Sequence, residues 1–502
     1  MGTVNGSYKR LIKLVRETGI LHSVAELLEW DQEVCMPAGG NAHRAEQMAL
    51  LAGMVHEKIT APEIGELLAE CEQAGFPAGG REEANVREIG RRYRKKTCLP
   101  VELVRELARV TANAHPVWVQ ARSSRDFSLF RPHLERIVAL KREQAAAVGY
   151  ESSPYDPLLD DYEPGETAGH LAGLFDGLAP ALASLLSGIR EAPRKPDSTL
   201  VRRRYPAEAQ RKLGIEVSRA IGFDYERGRV DTVVHPFCLT VGPGDVRITT
   251  RYNERFFNEA FFGFMHETGH GLYEQGLVAE DFGLPAGESV SLGIHESQSR
   301  LWENAIGRGK PFWKFFFPRL AAAFPDALAG VSLDDWLLAI NEVKPSFIRV
   351  EADEITYNLH IILRFQIERA LIEGDLDVAD LPDAWNGKFS EMFGLEVPDD
   401  SQGVLQDVHW SAGLFGYFPT YCLGNICAAQ FFAAAREQIP GLESGLEAGE
   451  FAPLLEWLRE KIHRRGMLLM PRELVRDVTG KELSVDCLLS YLAEKFGNLY
   501  GI

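Results

Sequence analysis

The stretch His266-Glu267-Thr-Gly-His270 constrains this chain more than any other. On a helix, residues i and i+4 lie one above the other on one face. Two imidazoles at that spacing can therefore share one metal ion. Glu267, one position along, is turned by about 100° and can act on a water as general base, an arrangement used by zinc peptidases. The segment 258–275 reads as a single helix, with Phe261, Phe264 and Leu272 at helical spacing, Asn258 as N-cap and Gly276 just past the end. Two histidines and an acid on a largely apolar helix need partners, because buried polar groups without them are costly. The plainer alternative is a helix with two hydrogen-bonded histidines.

A catalytic zinc takes three protein ligands and keeps one position open. The segment 288–303, also read as helical, offers Glu288, His295, Glu296 and Glu303. Glu296 is favoured because it opens the polar patch Glu-Ser-Gln-Ser on a helix otherwise carrying Val290, Leu292, Ile294, Leu301 and Trp302. Spacing alone leaves Glu288 and His295 open. Glu303, seven residues beyond Glu296, shares its face and can hold a ligand from behind.

The 502 residues exceed the usual size of one domain, so two lobes around a cleft are expected. The linker Ala192-Pro-Arg-Lys-Pro-Asp-Ser198 suggests a helical lobe over 1–195 covering a groove and a metal-bearing lobe over 196–502, together one peptidase unit. Periodicity elsewhere is mostly helical, with helices expected near 82–96, 100–114, 127–148 and 167–190. The fold class is therefore mainly α. One region reads as a β-hairpin, with arms at 233–240 and 246–250 and Pro236 confining the first arm to an edge. A free edge there can add a peptide as a further strand. Asp245, Arg247 and Thr249 alternate along the second arm and share one face, which suggests structural support for the metal helix.

A formal net charge of −18 argues against a nucleic-acid or anionic-membrane partner. The uncharged run 411–435 is broken by glycines and Pro419, so a buried turn and core helix are expected instead of a membrane span. Seven scattered cysteines without a Cys-x-x-Cys pair suit reduced thiols in a cytoplasm.

Several ordered motifs together resemble one family. They are His266-Glu-Thr-Gly-His-Gly-Leu-Tyr-Glu-Gln-Gly276 followed by His295-Glu-Ser-Gln-Ser-Arg-Leu-Trp-Glu-Asn304, with Trp30-Asp31, Met36-Pro-Ala-Gly-Gly40, His235-Pro-Phe237, Asp245-Val-Arg-Ile-Thr249, Ile348-Arg349-x-x-Ala-Asp353 and Gly403-Val-Leu-Gln-Asp-Val-His409-Trp410. From about Tyr8 to the C-terminus the chain is similar to the carboxypeptidase Taq family of metallocarboxypeptidases. Val34 departs from it, standing where the family commonly has threonine. The resemblance implies a saddle-like, mainly helical protein with a long groove, usually a homodimer. It implies His266, His270 and Glu296 as ligands of one divalent metal, zinc first with cobalt as the alternative, and Glu267 as general acid/base. The expected partners are peptides with a free C-terminus.

Recognition of that terminus calls for a guanidinium, and the resemblance points to Arg349; an ion pair with Asp353 is the competing role. His409, Tyr417 and Tyr421 are candidate donors to a tetrahedral oxyanion, and His235 is a substrate-side candidate. Three rivals stand beside this reading. One is an oligo-endopeptidase with the same chemistry. Another is a di-metal carboxylate oxidase using Glu460-Lys-Ile-His463, whose histidine reads as a wet helix end. The last is a non-catalytic helical binding protein.

Overall fold

A helix of 33 residues, Gly2–Val34, opens the structure, a computed structural model that describes residues 2–502. It packs with helices Asn41–Ile59 and Pro62–Ala74, and Arg81–Thr97 packs on the latter. Leu11, Ile64, Leu68, Cys71, Val86 and Ile89 interlock as a small core of their own. The main core runs from Leu103 to Tyr500 and continues through the linker region, since Ala192, Leu200 and Val201 belong to it.

The helical expectations hold with shifted ends. Helices occupy Arg81–Thr97, Phe127–Val148 and Ala168–Glu191, while the one expected at 100–114 extends over Val101–Ser124. Helix Ala168–Glu191 shows why. Thr167 caps it by accepting from His170 N, and Leu171, Phe175, Leu178, Leu182 and Leu186 recur at three- and four-residue intervals on its buried face. It is also long and apolar enough, by length and composition, to cross a membrane.

The β region differs from the expected hairpin. Three strands, β1 (Gly228–Thr232), β2 (Cys238–Gly242) and β3 (Asp245–Thr250), form a sheet in the order β1-β3-β2. β2 and β3 pair antiparallel as expected, but β1 lies parallel to β3 on its other side. Residues 233–237, including Pro236, form the connection from β1 to β2. β1 escaped a hydrophobic pattern because only Val230 among its five residues is apolar. A Cβ on Gly228 would meet Val246 O at 2.6 Å, so the side chain is absent where the strands come closest.

The motif helix spans Phe257–Gly276. Asn258 is not its N-cap: it lies inside the first turn and donates through Nδ2 to Ile340 O. The second segment also differs. Residues 288–291 are not helical, Ser291 caps the helix Leu292–Arg300 by accepting from Ile294 N, and the next six residues, Leu301–Ile306, widen into a π-helix. π-turns recur at functional sites because they re-aim side chains.

The segment 411–435 forms buried turns followed by helix Pro419–Gln438, which packs on Leu292–Arg300. Two glycines allow this helix to be gripped from both sides. A Cβ on Gly269 would lie 2.6 Å from Ser299 Cα, and one on Gly424 would lie 2.4 Å from Glu296 Cγ. The backbone carrying Glu296 is thereby held between the motif helix and Pro419–Gln438.

Candidate metal centre and its surroundings

The helix face that carries His266 and His270 meets Glu296 from the crossing helix. His266 Nε2 and His270 Nε2 are 3.2 Å apart, and Glu296 Oε2 lies 3.5 Å from the first and 3.4 Å from the second. Donors around a tetrahedral ion at about 2.0–2.1 Å stand about 3.3 Å from one another. The three atoms therefore have the spacing of one face of such a tetrahedron, and two imidazoles with a carboxylate suit a borderline divalent cation. Among the described residues this is the one grouping of three such donors.

Side chains behind the triad orient it. His266 Nδ1 lies 2.9 Å from Glu303 Oε2; the carboxylate accepts from Nδ1–H and leaves the Nε2 lone pair directed at the other donors. Arg300 donates to Glu296 Oε1 at 2.7 Å and to Glu303 Oε2 at 3.2 Å, with its guanidinium over the Tyr357 ring. One cation thus aligns both acids. On the other side, His295 stacks on His270 with ring centres 4.5 Å apart, and its Nε2 is 2.9 Å from Glu274 Oε1.

Electrostatics follow from burial and these pairings. Burial works to raise the Glu303 carboxyl, but Arg300 and His266 override it and bring it down to about 2. The same opposition, led by Arg300 and His266, holds Glu296 well below the usual range. Burial, helped by His295, takes His270 down to about 3, so its ring is a neutral lone-pair donor. Glu267 lacks a cationic clamp. It is 7 % exposed, and burial raises it to about 7.

The other candidate residues fall into separate places. Glu288 is engaged with Arg92 at 2.6 Å, and His295 with Glu274, so neither of the alternative third ligands joins the triad. Arg349 is buried and paired with Asp407, not Asp353, through Nε at 3.0 Å and Nη2 at 2.8 Å. Asp353 instead accepts from Lys344 N, Ile355 N and Thr356, fastening the start of helix Thr356–Glu373. Asp407 also takes Nε of Arg364 at 2.6 Å. His409 stands beside this cluster, its Nε2 3.4 Å from Tyr421 Oη, and its ring packs near Tyr417. Burial lowers His409 to about 4. Tyr417 and Tyr421 both feel the charge of Glu296.

Asp245 and Arg247 form a two-bond ion pair, with the guanidinium 4.2 Å from the Trp30 ring centre. Their face of β3 meets the first helix. The motif helix packs on the opposite face, where Ile248 lies against Gly271. Thr249 exchanges hydrogen bonds with Phe237 and ties down the β1–β2 connection. The expected support of the motif helix by these three is therefore indirect, because alternation along β3 turns them away from it. His235 is exposed in that connection, and among the described residues its ring makes no hydrogen bond. The second Glu-x-x-His is no metal site: Glu460 is exposed, whereas His463 is fully buried against Tyr273 and bonded to Gln298, not at a wet helix end.

Arg300, Tyr357, Glu274 and Gly424 were not singled out by sequence reasoning. Arg300 stands four residues after Glu296, and Glu274 four after His270, so i+4 spacing alone could have found both.

A mainly helical fold that joins His-Glu-x-x-His to a glutamate on a crossing helix defines a metallopeptidase. The comparisons agree. The model of the carboxypeptidase Taq (M32) metallopeptidase family matches residues 10–496. Thermostable carboxypeptidase 1 of Thermus thermophilus is 46 % identical over 99 % of this chain and 100 % of its own length. Carboxypeptidase 1 of Bacillus subtilis is 38 % identical over 98 % of each. The crystal structure of the M32 carboxypeptidase from Deinococcus radiodurans R1 superposes with a TM-score of 0.96 at 38 % identity, covering 99 % of this chain and all of that one. The chain belongs to the carboxypeptidase Taq (M32) metallopeptidase family and is a metal-dependent carboxypeptidase.

Proposed function

We propose that the chain releases amino acids one at a time from free peptide C-termini, with His266, His270 and Glu296 holding one divalent cation. The mutual distances of their three donor atoms carry this reading. Zinc fits the N/O donor set first, with cobalt as the alternative. A cation held there supplies Lewis acidity, polarising the scissile carbonyl and making a water more acidic.

The protein's own groups do the rest. Glu267, buried beside His266 and feeling His295 and Glu296, takes the proton of the attacking water and returns it to the departing amine. Glu303 accepts from Nδ1–H of His266 throughout. The hydroxyls of Tyr417 and Tyr421 and the ring of His409 are the candidate donors to the oxyanion.

Arg349, Arg364 and Asp407 favour a substrate carboxylate. Two guanidiniums share one carboxylate in a buried setting, which leaves an excess positive charge. Such a charge attracts an anion more strongly there than in water. His235 is read as a contact for the chain upstream. Residues 1–195 are read as the lobe covering the groove and 196–502 as the metal-bearing lobe. The family resemblance supports a homodimer, and seven free cysteines support a reducing cytoplasm.

The deciding experiment compares a free peptide with its C-terminal amide, before and after chelation and with zinc or cobalt added back. Stepwise release from the free peptide alone, lost on chelation and restored by metal, is the expected result. Equal cleavage of the amide would make the enzyme an endopeptidase.

A further inference from the structure

Glu303, the carboxylate behind His266 Nδ1, stands in the π-helix Leu301–Ile306 and not in a regular α-turn. A π-turn closes over five residues and takes a carbonyl out of the helical ladder. Here Gly307 N reaches back to Trp302 O at 2.9 Å, while Gly309 N goes to Ile306 O at 2.9 Å. Among the described residues no backbone N–H is bonded to the carbonyl of Asn304, the buried residue that follows Glu303. A buried carbonyl in that position is costly unless a side chain supplies the donor.

The donors come from the C-terminal helix, Asp486–Tyr500. Tyr491 Oη donates to Asn304 O at 3.1 Å and Lys495 Nζ donates to it at 3.3 Å, from 187 and 191 positions along the chain. The two side chains are four residues apart, so one face of that helix meets the carbonyl. Lys495 also donates to Tyr491 Oη at 3.0 Å and to Glu354 Oε2 at 2.5 Å. An ammonium has three protons to give, and each of them has an acceptor here. The side chains of Lys495 and Glu354 are only 11 % and 7 % exposed, so this ion pair is not screened by salt as a surface pair is. Glu354 thereby fixes Lys495, and Lys495 with Tyr491 fixes Asn304 O.

We propose that Tyr491 and Lys495 are positioning residues for the metal centre: by holding the Asn304 carbonyl they keep the turn that carries Glu303 wide and its carboxylate on His266 Nδ1. With these donors removed, Asn304 O regains a partner by returning to the α ladder, where it accepts from the residue four along, Arg308. That tightening turns Glu303 about the helix axis and away from His266. The inference rests on the reading of His266 as a metal ligand and adds the C-terminal helix to the parts that set metal affinity.

The test measures zinc affinity by chelator competition on the full chain, with folding followed by circular dichroism. Both donors are removed by Tyr491→Phe/Lys495→Met, made together with Glu354→Gln so that no buried acid is left unpaired. This triple variant is expected to weaken zinc affinity about tenfold, as groups behind a ligand usually do. Tyr491→Phe alone removes one of the two donors and is expected to weaken it about threefold; it decides the matter should the triple variant not fold. Made on Glu303→Gln, the same changes should cost no further affinity, because they act through that carboxylate. Urea unfolding of the metal-free proteins reports the anchoring of the C-terminal helix separately. Lowered stability with wild-type zinc affinity means that the two residues only anchor that helix, and overturns the proposal. Equal losses of affinity with and without the Glu303 carboxylate overturn it as well. The wild type in the same titration separates the two claims. If it takes up no zinc, the metal reading itself fails; if it binds zinc and Tyr491→Phe binds as tightly, only this inference fails.

Discussion

Gly424 lies so close to Glu296 that a Cβ on it would stand 2.4 Å from Glu296 Cγ and 2.7 Å from its Cβ. A single hydrogen atom on helix Pro419–Gln438 thus leaves the space in which the third donor stands. Gly424→Ala should push Glu296 away from His266 and His270, with overpacking that costs about 1–3 kcal/mol. The expected outcome is a folded protein that loses metal on dialysis where the wild type retains it. Metal content by atomic absorption, alongside circular dichroism, checks both halves.

Glu303 should matter to the metal without touching it. It bonds His266 Nδ1 at 2.9 Å, and such supporting groups typically account for about 10–100-fold in metal affinity. Glu303→Gln, which keeps the shape but not the charge, is expected to weaken affinity by about that factor in a chelator-competition titration. An affinity equal to the wild type's would remove Glu303 from the supporting set.

For Glu267 the two readouts should part. Glu267→Gln is expected to bind metal as well as the wild type, because the donor triangle does not include it. Turnover should fall by at least about 10²–10⁴, the usual contribution of a placed acid/base. Wild-type kcat in this variant would be incompatible with the assigned role.

Glu163 provides a pH test away from the metal. It is buried, accepts from Gly293 N at the start of helix Leu292–Arg300, and burial pushes its carboxyl up to about 8. In the unfolded chain an ordinary glutamate titrates near about 4.3. The native state therefore holds a proton that the unfolded state has released between these values. Its stabilising contribution is full below about pH 4.3 and is lost as pH rises through about 8. Glu163→Gln imitates the protonated form, so its stability relative to the wild type should rise between pH 5 and pH 8, on the order of a few kcal/mol. Urea unfolding of both proteins at the two pH values measures this; a constant difference counts against it.

The parts of the centre that could be read in advance are those encoded locally. His266 and His270 share a face through helix geometry alone, and Leu171, Phe175 and Leu178 mark a buried stripe in the same way. β1 could not be read so, because its place beside β3 depends on pairing with a strand seventeen residues on, not on a pattern of its own. The same holds for Arg349. Spacing suggested Asp353, four residues away, but the chain folds Asp407 against it, 58 positions along.

By itself, the order of residues determined a mainly helical chain, a two-histidine face with its neighbouring acid, and a short list of third donors. Periodicity and helix geometry are properties of a few adjacent turns, so they survive without knowledge of the fold. Which glutamate completes the triangle was decided in three dimensions, where Gly269 and Gly424 let two helices grip a third and Arg300 turns Glu296 inward. Close approach and burial set this, and they bring together segments as far apart as Gly269 and Gly424, which no local pattern records.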